Sequence, residues 1–196
     1  MFIRNESFSS YLSKFPLTSF IIGLHILIWG FFSLPFQDSP YWFSQADGFN
    51  SAIAHGQWWR LITPIFLHAG FTHLLFNSFS LAVAAPPLEE MLGKARLALL
   101  YAGSGIAANA ATFILLPPEY SHVGASGAIF GLFGCWLFMA LNRKNRISPA
   151  QSQVLFIILA MSLAASFLSP SVNVTAHIFG LAAGFVLSAL LLKRNI

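Results

Sequence analysis

The chain has 196 residues, 57% of them hydrophobic and only 8% charged, whereas soluble globular domains carry about a quarter charged residues. A mean hydropathy of +0.72 excludes water as the main solvent, and at about 20 apolar residues per crossing the length holds one membrane domain, over 1–196, with no room for a second. The net charge of +4 and a pI near 9.6 raise nucleic acid as a partner, a reading that depends on where the basic residues lie.

Residues Met1 to Lys14 are polar and aromatic rather than a short apolar region before a cleavage site, so no removable signal peptide is expected. Apolar runs then predict six membrane spans, at 17–36, 64–85, 94–116, 124–141, 150–168 and 172–192. The fold class expected is an all-α polytopic membrane protein. The first span carries one titratable group, His25, to which no role is assigned. The connection 37–63 is long and aromatic (Tyr41, Trp42, Phe43, Phe49, Trp58, Trp59), a composition suited to the headgroup level. Trp59-Arg60 reads there as an interface anchor. Span two is the least apolar and contains His68, His73 and Asn77; Pro86-Pro87, Pro117-Pro118 and Ser169-Pro170 mark shorter connections. The single cysteine, Cys135, sits in an apolar run and has no partner for a disulfide or a metal.

An even number of spans puts both termini on one side. With the N-terminus cytoplasmic, that side receives nine of the ten basic residues (Arg4, Lys14, Lys94, Arg96, Arg143, Lys144, Arg146, Lys193 and Arg194), and the other receives only Arg60. This bias predicts cytoplasmic termini and accounts for the pI without nucleic acid.

Span four opens with Gly124-Ala125-Ser126-Gly127 and continues through Gly131; span six carries His177, Gly180 and Gly184. Small residues at a spacing of four make a smooth face, so these two helices are expected to pack closely. Both spans start on the outer side, which brings Ser126 and His177 to similar depth, in a site opening outward. A serine hydroxyl becomes a nucleophile when a neutral histidine within reach removes its proton. No carboxylate lies inside a span, so a dyad is expected rather than a triad. His73 and Asn77 are four residues apart and share a helix face; facing the interior, such donors could hold an oxyanion. Taken alone, Ser126 would be a packing residue, and the alternative for His73 and Asn77 is interhelical hydrogen bonding.

The set Trp59-Arg60, His68-x4-His73-x3-Asn77, Gly124-x-Ser126-Gly127 and Ala176-His177-x-x-Gly180-x3-Gly184 resembles the rhomboid family of intramembrane serine proteases, in its short bacterial GlpG type, over about residues 55 to 185. The resemblance implies a six-helix rhomboid-like bundle with a partly submerged loop between helices one and two. It implies cleavage of other membrane proteins in or next to their transmembrane segments, without cofactor or metal, in the bacterial inner membrane. Ser126 would be the nucleophile and His177 the base. His73, Asn77 and the Ser126 backbone amide would form the oxyanion hole, with Gly124 opening the nucleophile motif. His68 and Phe130 would be site-adjacent, Phe130 standing where the family often has a tyrosine beside the base. Glu89 resembles the acidic residue after span two, but Met91 replaces the arginine often found two residues later. The implied partners are transmembrane-protein substrates and membrane lipid; the sequence carries no signal for an oligomeric state. A transporter using His73, Asn77 and His177, a non-catalytic relative, and a metal protease using His68 and His73 are the competing readings. The last lacks an H-E-x-x-H motif.

Overall fold

The computed structural model describes residues 6–35, 37–142, 147–169 and 171–192, and among them every regular element is helical. A short helix α1 (Phe8–Lys14) leads into α2 (Pro16–Ser33). The connection that follows holds α3 (Ser39–Ala46), α4 (Asn50–Ala54) and two 3-10 turns, Trp58–Leu61 and Thr63–Phe66. Then come α5 (Phe71–Ala84), α6 (Pro86–Leu92), α7 (Lys94–Leu115), α8 (Ser126–Asn142), α9 (Pro149–Leu168) and α10 (Val174–Leu191). Of these, α2, α7 and α10 have 18, 22 and 18 residues and are long and apolar enough to cross a membrane; α5, α8 and residues 152–168 of α9 are apolar but shorter.

The second span begins later than the sequence suggests. Residues expected to open it at 64 form a 3-10 turn around Pro64, and the α-helix starts at Phe71, after Gly70. Leu67 and Gly70 are extended, so the helical run is broken between the turn and Phe71. His68 therefore lies ahead of the helix. Span four is likewise shorter at its start, since Gly124 has φ +134° and stands outside α8. Of the basic residues used for topology, Arg4, Arg143, Lys144, Arg146, Lys193 and Arg194 lie outside the described residues.

Helix α8 is the centre of the bundle. Every residue from Gly127 to Trp136 is buried, the pattern of a helix surrounded by protein on all sides. It can be surrounded because its neighbours approach at backbone distance. A Cβ added at Gly180 or Gly184 would run into the carbonyl oxygen of Gly127 or Gly131 respectively, and one at Gly134 would meet the Leu181 carbonyl. On another side, Ser104 and Ala108 of α7 press against Gly131 and Gly127. The close packing of spans four and six expected from their small residues is present.

Two polar networks fix what surrounds this centre. At one end, buried Glu89 of α6 accepts from the backbone N–H groups of Leu17 and Thr18, both at 2.9 Å, and from the Thr18 hydroxyl at 2.7 Å. A carboxylate there satisfies the open donors of α2 and complements its dipole, so Glu89 has hydrogen-bond partners without an arginine at position 91. At the other end, buried Asn50 donates towards the carbonyls of Thr112, Leu116 and Pro117 at 3.0–3.3 Å, closing the C-terminal turn of α7.

Gly184→Ala is expected to destabilise the protein by about 1–3 kcal/mol, because its Cβ can be placed only by separating two backbones. Gly23→Ala on α2, with nothing within 4 Å of the new carbon, should be neutral or slightly stabilising. Thermal unfolding of both variants in one detergent measures the contrast.

Candidate active site

Ser126 is the first residue of α8, so its N–H belongs to the turn that has no carbonyl one turn back to bond. The segment entering it is pinned by the Gly124 N–H donating to the Pro64 carbonyl at 2.9 Å. At φ +134° Gly124 adopts a conformation that side chains disfavour. There is also no space for one: a Cβ there would stand 2.7 and 2.8 Å from Cε1 and Nε2 of His73, and 3.8 Å from Ser126 Oγ. The glycine therefore lets the His73 imidazole lie against the backbone just before Ser126.

His177 is the fourth residue of α10 and is buried. Its ring stacks on Phe130, with centroids 4.1 Å apart and planes within 17°, and its Nδ1 lies 2.7 Å from Ser166 Oγ on α9. The start of α10 is set by Asn173, whose Oδ1 accepts from the Ala176 N–H at 2.9 Å while its Nδ2 donates to the Thr112 hydroxyl at 2.9 Å, an N-cap that also ties α10 to α7. Ala176 packs on Gly127: a Cβ on that glycine would lie 3.5 Å from the Ala176 carbonyl oxygen. The residues next to Ser126 and His177 are thus in contact across the α8–α10 seam, in keeping with the similar depth expected of the pair.

Ser126 and His177 line one cavity of about 830 Å³, together with His73, Asn77 and Phe130. Its wall includes Thr72, Phe76 and Ser80 from α5 and Ser162, Ala165 and Ser166 from α9. Asn77 Nδ2 donates to the His73 carbonyl at 2.8 Å, leaving its second amide hydrogen for another acceptor. His68 is buried behind His73, its ring packed between His25 at 4.9 Å and His73 at 5.2 Å. It supports His73 rather than lining the cavity. His25 in turn lies 3.2 Å from the Tyr101 hydroxyl. A second cavity, of about 650 Å³ between Ala140, Ile147 and Phe156, has no ionisable lining residue among the described residues.

The sequence reading did not find the strap that holds the segment ahead of Ser126. Arg60 is buried, with only 2% of its surface exposed, which corrects its reading as an interface anchor. Its Nη1 donates to the carbonyls of Ser44 and Asp47 at 2.8 and 2.9 Å and pairs with the Asp47 carboxylate at 2.6 Å, while its Nε donates to Gln57 at 2.6 Å. The second Asp47 oxygen accepts from the Ser121 hydroxyl at 2.7 Å. Backbone N–H groups of Gly48, Asn50 and Ser51 donate to the carbonyls of His122, Tyr120 and Pro118. Within this strap, the His122 Nε2 meets Asn109 Oδ1 at 3.0 Å. Tyr41, Trp42, Trp58 and Trp59 stay half exposed, as an interfacial loop requires.

Comparison with known proteins identifies the family. Residues 55–194 match the Rhomboid domain. The chain is 50% identical over 195 residues to the rhomboid relative YdcA of Bacillus subtilis (strain 168), covering 100% of this chain and 98% of that one. It is 39% identical over 142 residues to Rhomboid protease GluP of the same organism, and 37% identical over 147 residues to RHOMBOID-like protein 5 of Arabidopsis thaliana. Each of those two alignments takes in 72% of this chain, but only 28% and 47% of the relative. The apolar helical fold and these relatives define an integral membrane protein of the intramembrane serine protease class. The chain belongs to the rhomboid family.

Burial pulls the His122 imidazole down from 6.5 to about 4, against a weaker opposing contribution from its backbone contact with Gly48. A histidine held below its unfolded value stays neutral in the folded protein, while the unfolded chain takes up a proton. Its full contribution to stability is present above pH 6.5 and is lost as pH falls towards about 4. The gap in unfolding temperature between the parent and His122→Asn should therefore narrow across that interval, measured by thermal scans in buffered detergent.

Proposed function

We propose that the chain is an endopeptidase that cuts other membrane proteins in or next to their transmembrane segments, with Ser126 as nucleophile and His177 as general base. The observation that carries this reading is that the two residues line one cavity from two helices locked together at backbone distance. His177 Nε2 takes the Ser126 proton as Oγ attacks the scissile carbonyl. The resulting oxyanion is held by the Ser126 N–H, His73 and the free amide hydrogen of Asn77, donors fixed before reaction rather than recruited during it. Protonated His177 then gives its proton to the leaving amine, and a water activated by the same base hydrolyses the acyl-enzyme.

Hydrolysis needs water where lipid excludes it. Hydroxyls of Thr72, Ser80, Ser121, Ser162, Ser166, Ser169 and Ser171 line the cavity and supply the hydrogen-bonding surface that water requires. The site sits at the start of α8 and α10, whereas Lys14, Lys94 and Arg96 gather at the opposite end with Glu89 and the start of α2. Together with the basic residues near 143–146 and 193–194, this supports a bacterial plasma membrane location with cytoplasmic termini and a site opening outward.

Incubated in detergent with a model transmembrane substrate, the parent should cleave it whether or not a chelator is present, while Ser126→Ala and His177→Ala should not. A serine-directed fluorophosphonate should label the parent and spare Ser126→Ala. Normal turnover by Ser126→Ala would overturn the assignment. His73→Ala and Asn77→Ala should each lower kcat by about 10²- to 10³-fold, the loss typical of one oxyanion donor.

A further inference from the structure

We infer that Ser166 is the positioning residue of the base: it fixes the tautomer and the ring orientation of His177, the task an aspartate performs in a three-residue serine protease site. The inference rests on the dyad proposed above. Ser166 is buried, with 4% of its surface exposed, and lies on α9, a helix that contributes neither member of the dyad. Its Oγ has two close polar neighbours, the Ser162 carbonyl oxygen at 2.7 Å and His177 Nδ1 at 2.7 Å.

A hydroxyl has one hydrogen to donate. The Ser162 carbonyl can only accept, so the Ser166 hydrogen goes to it, in the back-bond to a carbonyl four residues earlier that helical serines commonly form. Ser166 Oγ must then meet His177 Nδ1 with a lone pair. That contact is favourable only if Nδ1 carries the proton. The opposite assignment would give the hydrogen to Nδ1 and leave two oxygens 2.7 Å apart with none between them. With Nδ1–H donated to Ser166, the lone pair of the neutral imidazole is on Nε2, the nitrogen left for the Ser126 proton. The same bond persists once the ring is protonated, so it does not resist the transfer.

Two contacts at right angles fix the ring. Phe130 covers its face at 4.1 Å and Ser166 holds its edge; stacking alone would permit the 180° χ2 flip that keeps the ring plane but exchanges its edges, and the hydrogen bond opposes it. The other titratable groups of the cavity are His73 on α5 and, from the connections, Asp47, Tyr120 and His122; the lining residues of α8 and α9 do not titrate in the working range. No carboxylate on an adjoining lining helix competes for Nδ1. A neutral acceptor orients without adding a buried charge, which suits a site inside a membrane.

Histidine ¹⁵N spectra of the unmodified protein in detergent, assigned through His177→Gln, should show His177 as the Nδ1-protonated tautomer at neutral pH. An Nε2-protonated ring would overturn the inference without any change at Ser166. In Ser166→Ala, kcat and the rate of fluorophosphonate labelling should fall about tenfold, the loss of about one hydrogen bond's worth of orientation. KM should stay within about twofold, the His177 signals should move towards a tautomer mixture, and Ser166→Thr, which keeps the hydroxyl, should recover most of the rate. Unchanged kcat and an unchanged tautomer in Ser166→Ala would refute the positioning role while leaving the dyad intact. Cleavage by Ser126→Ala would instead remove the dyad itself, so the two failures are distinct.

Discussion

Everything at the site depends on the contact between α8 and α10. Two helices bearing side chains at their seam lie about 8–10 Å apart, and a reacting pair placed across that distance must reach with long side chains. Serine has one side-chain carbon and histidine is rigid beyond its second torsion. Glycine at 127, 131, 180 and 184 removes the intervening side chains, and the backbones themselves meet. Ser126 and His177 thereby come to line the same cavity despite the short side chain of the serine. A membrane interior favours such a seam, because close van der Waals packing must replace the hydrophobic drive that water would supply.

A site that relies on short reach also needs its ends held, and the molecule does this with polar groups that the bilayer would otherwise penalise. Asn173 caps α10 and reaches Thr112 on α7; Asn50 closes the same C-terminal end of α7; Arg60 and Asp47 tie the interfacial loop to Ser121. Each of these side chains answers several backbone or side-chain partners. Leaving such groups unpaired in hydrocarbon would cost several kcal/mol apiece. Polar content in an apolar chain is here concentrated where loops and helix ends must be fixed.

The sequence made the apolar helices legible because their signal is local: length and hydropathy do not depend on neighbours. The small residues of α8 and α10 were legible for the same reason, since spacing of four implies one face whatever that face touches. Helix starts were less so. Extended residues at Leu67 and Gly70 shift the beginning of α5 to Phe71, and apolar composition alone does not distinguish a 3-10 turn from the first turn of a span. Arg60 was misread because a lone cation beside tryptophans is usual at a membrane surface; its burial follows from Asp47, 13 residues earlier, folding back on it. Ser166 offered no signal at all. A serine in an apolar helix is ordinary, and only the position of α9 beside His177 gives it an acceptor role.

Phe130 illustrates how site and packing divide the work. A tyrosine there would bring a hydroxyl that needs its own partner beside the base. Phenylalanine gives the stacking surface without that requirement, and its ring meets Phe133 edge to face with centroids 5.9 Å apart. Orientation of His177 within the ring plane must then come from elsewhere, and the polar neighbour supplied at Nδ1 is a side chain of α9. That helix also exposes Met161, Phe167 and Leu168 at its surface, so it is held by packing on one face only. His177 is therefore held by two different parts of the bundle: its backbone by the close seam of α8 and α10, and its Nδ1 by Ser166 of the more peripheral α9. In the proposed dyad, displacing α9 would free the proton on His177 to occupy either nitrogen, which ties the tautomer of the proposed base to the seating of that helix.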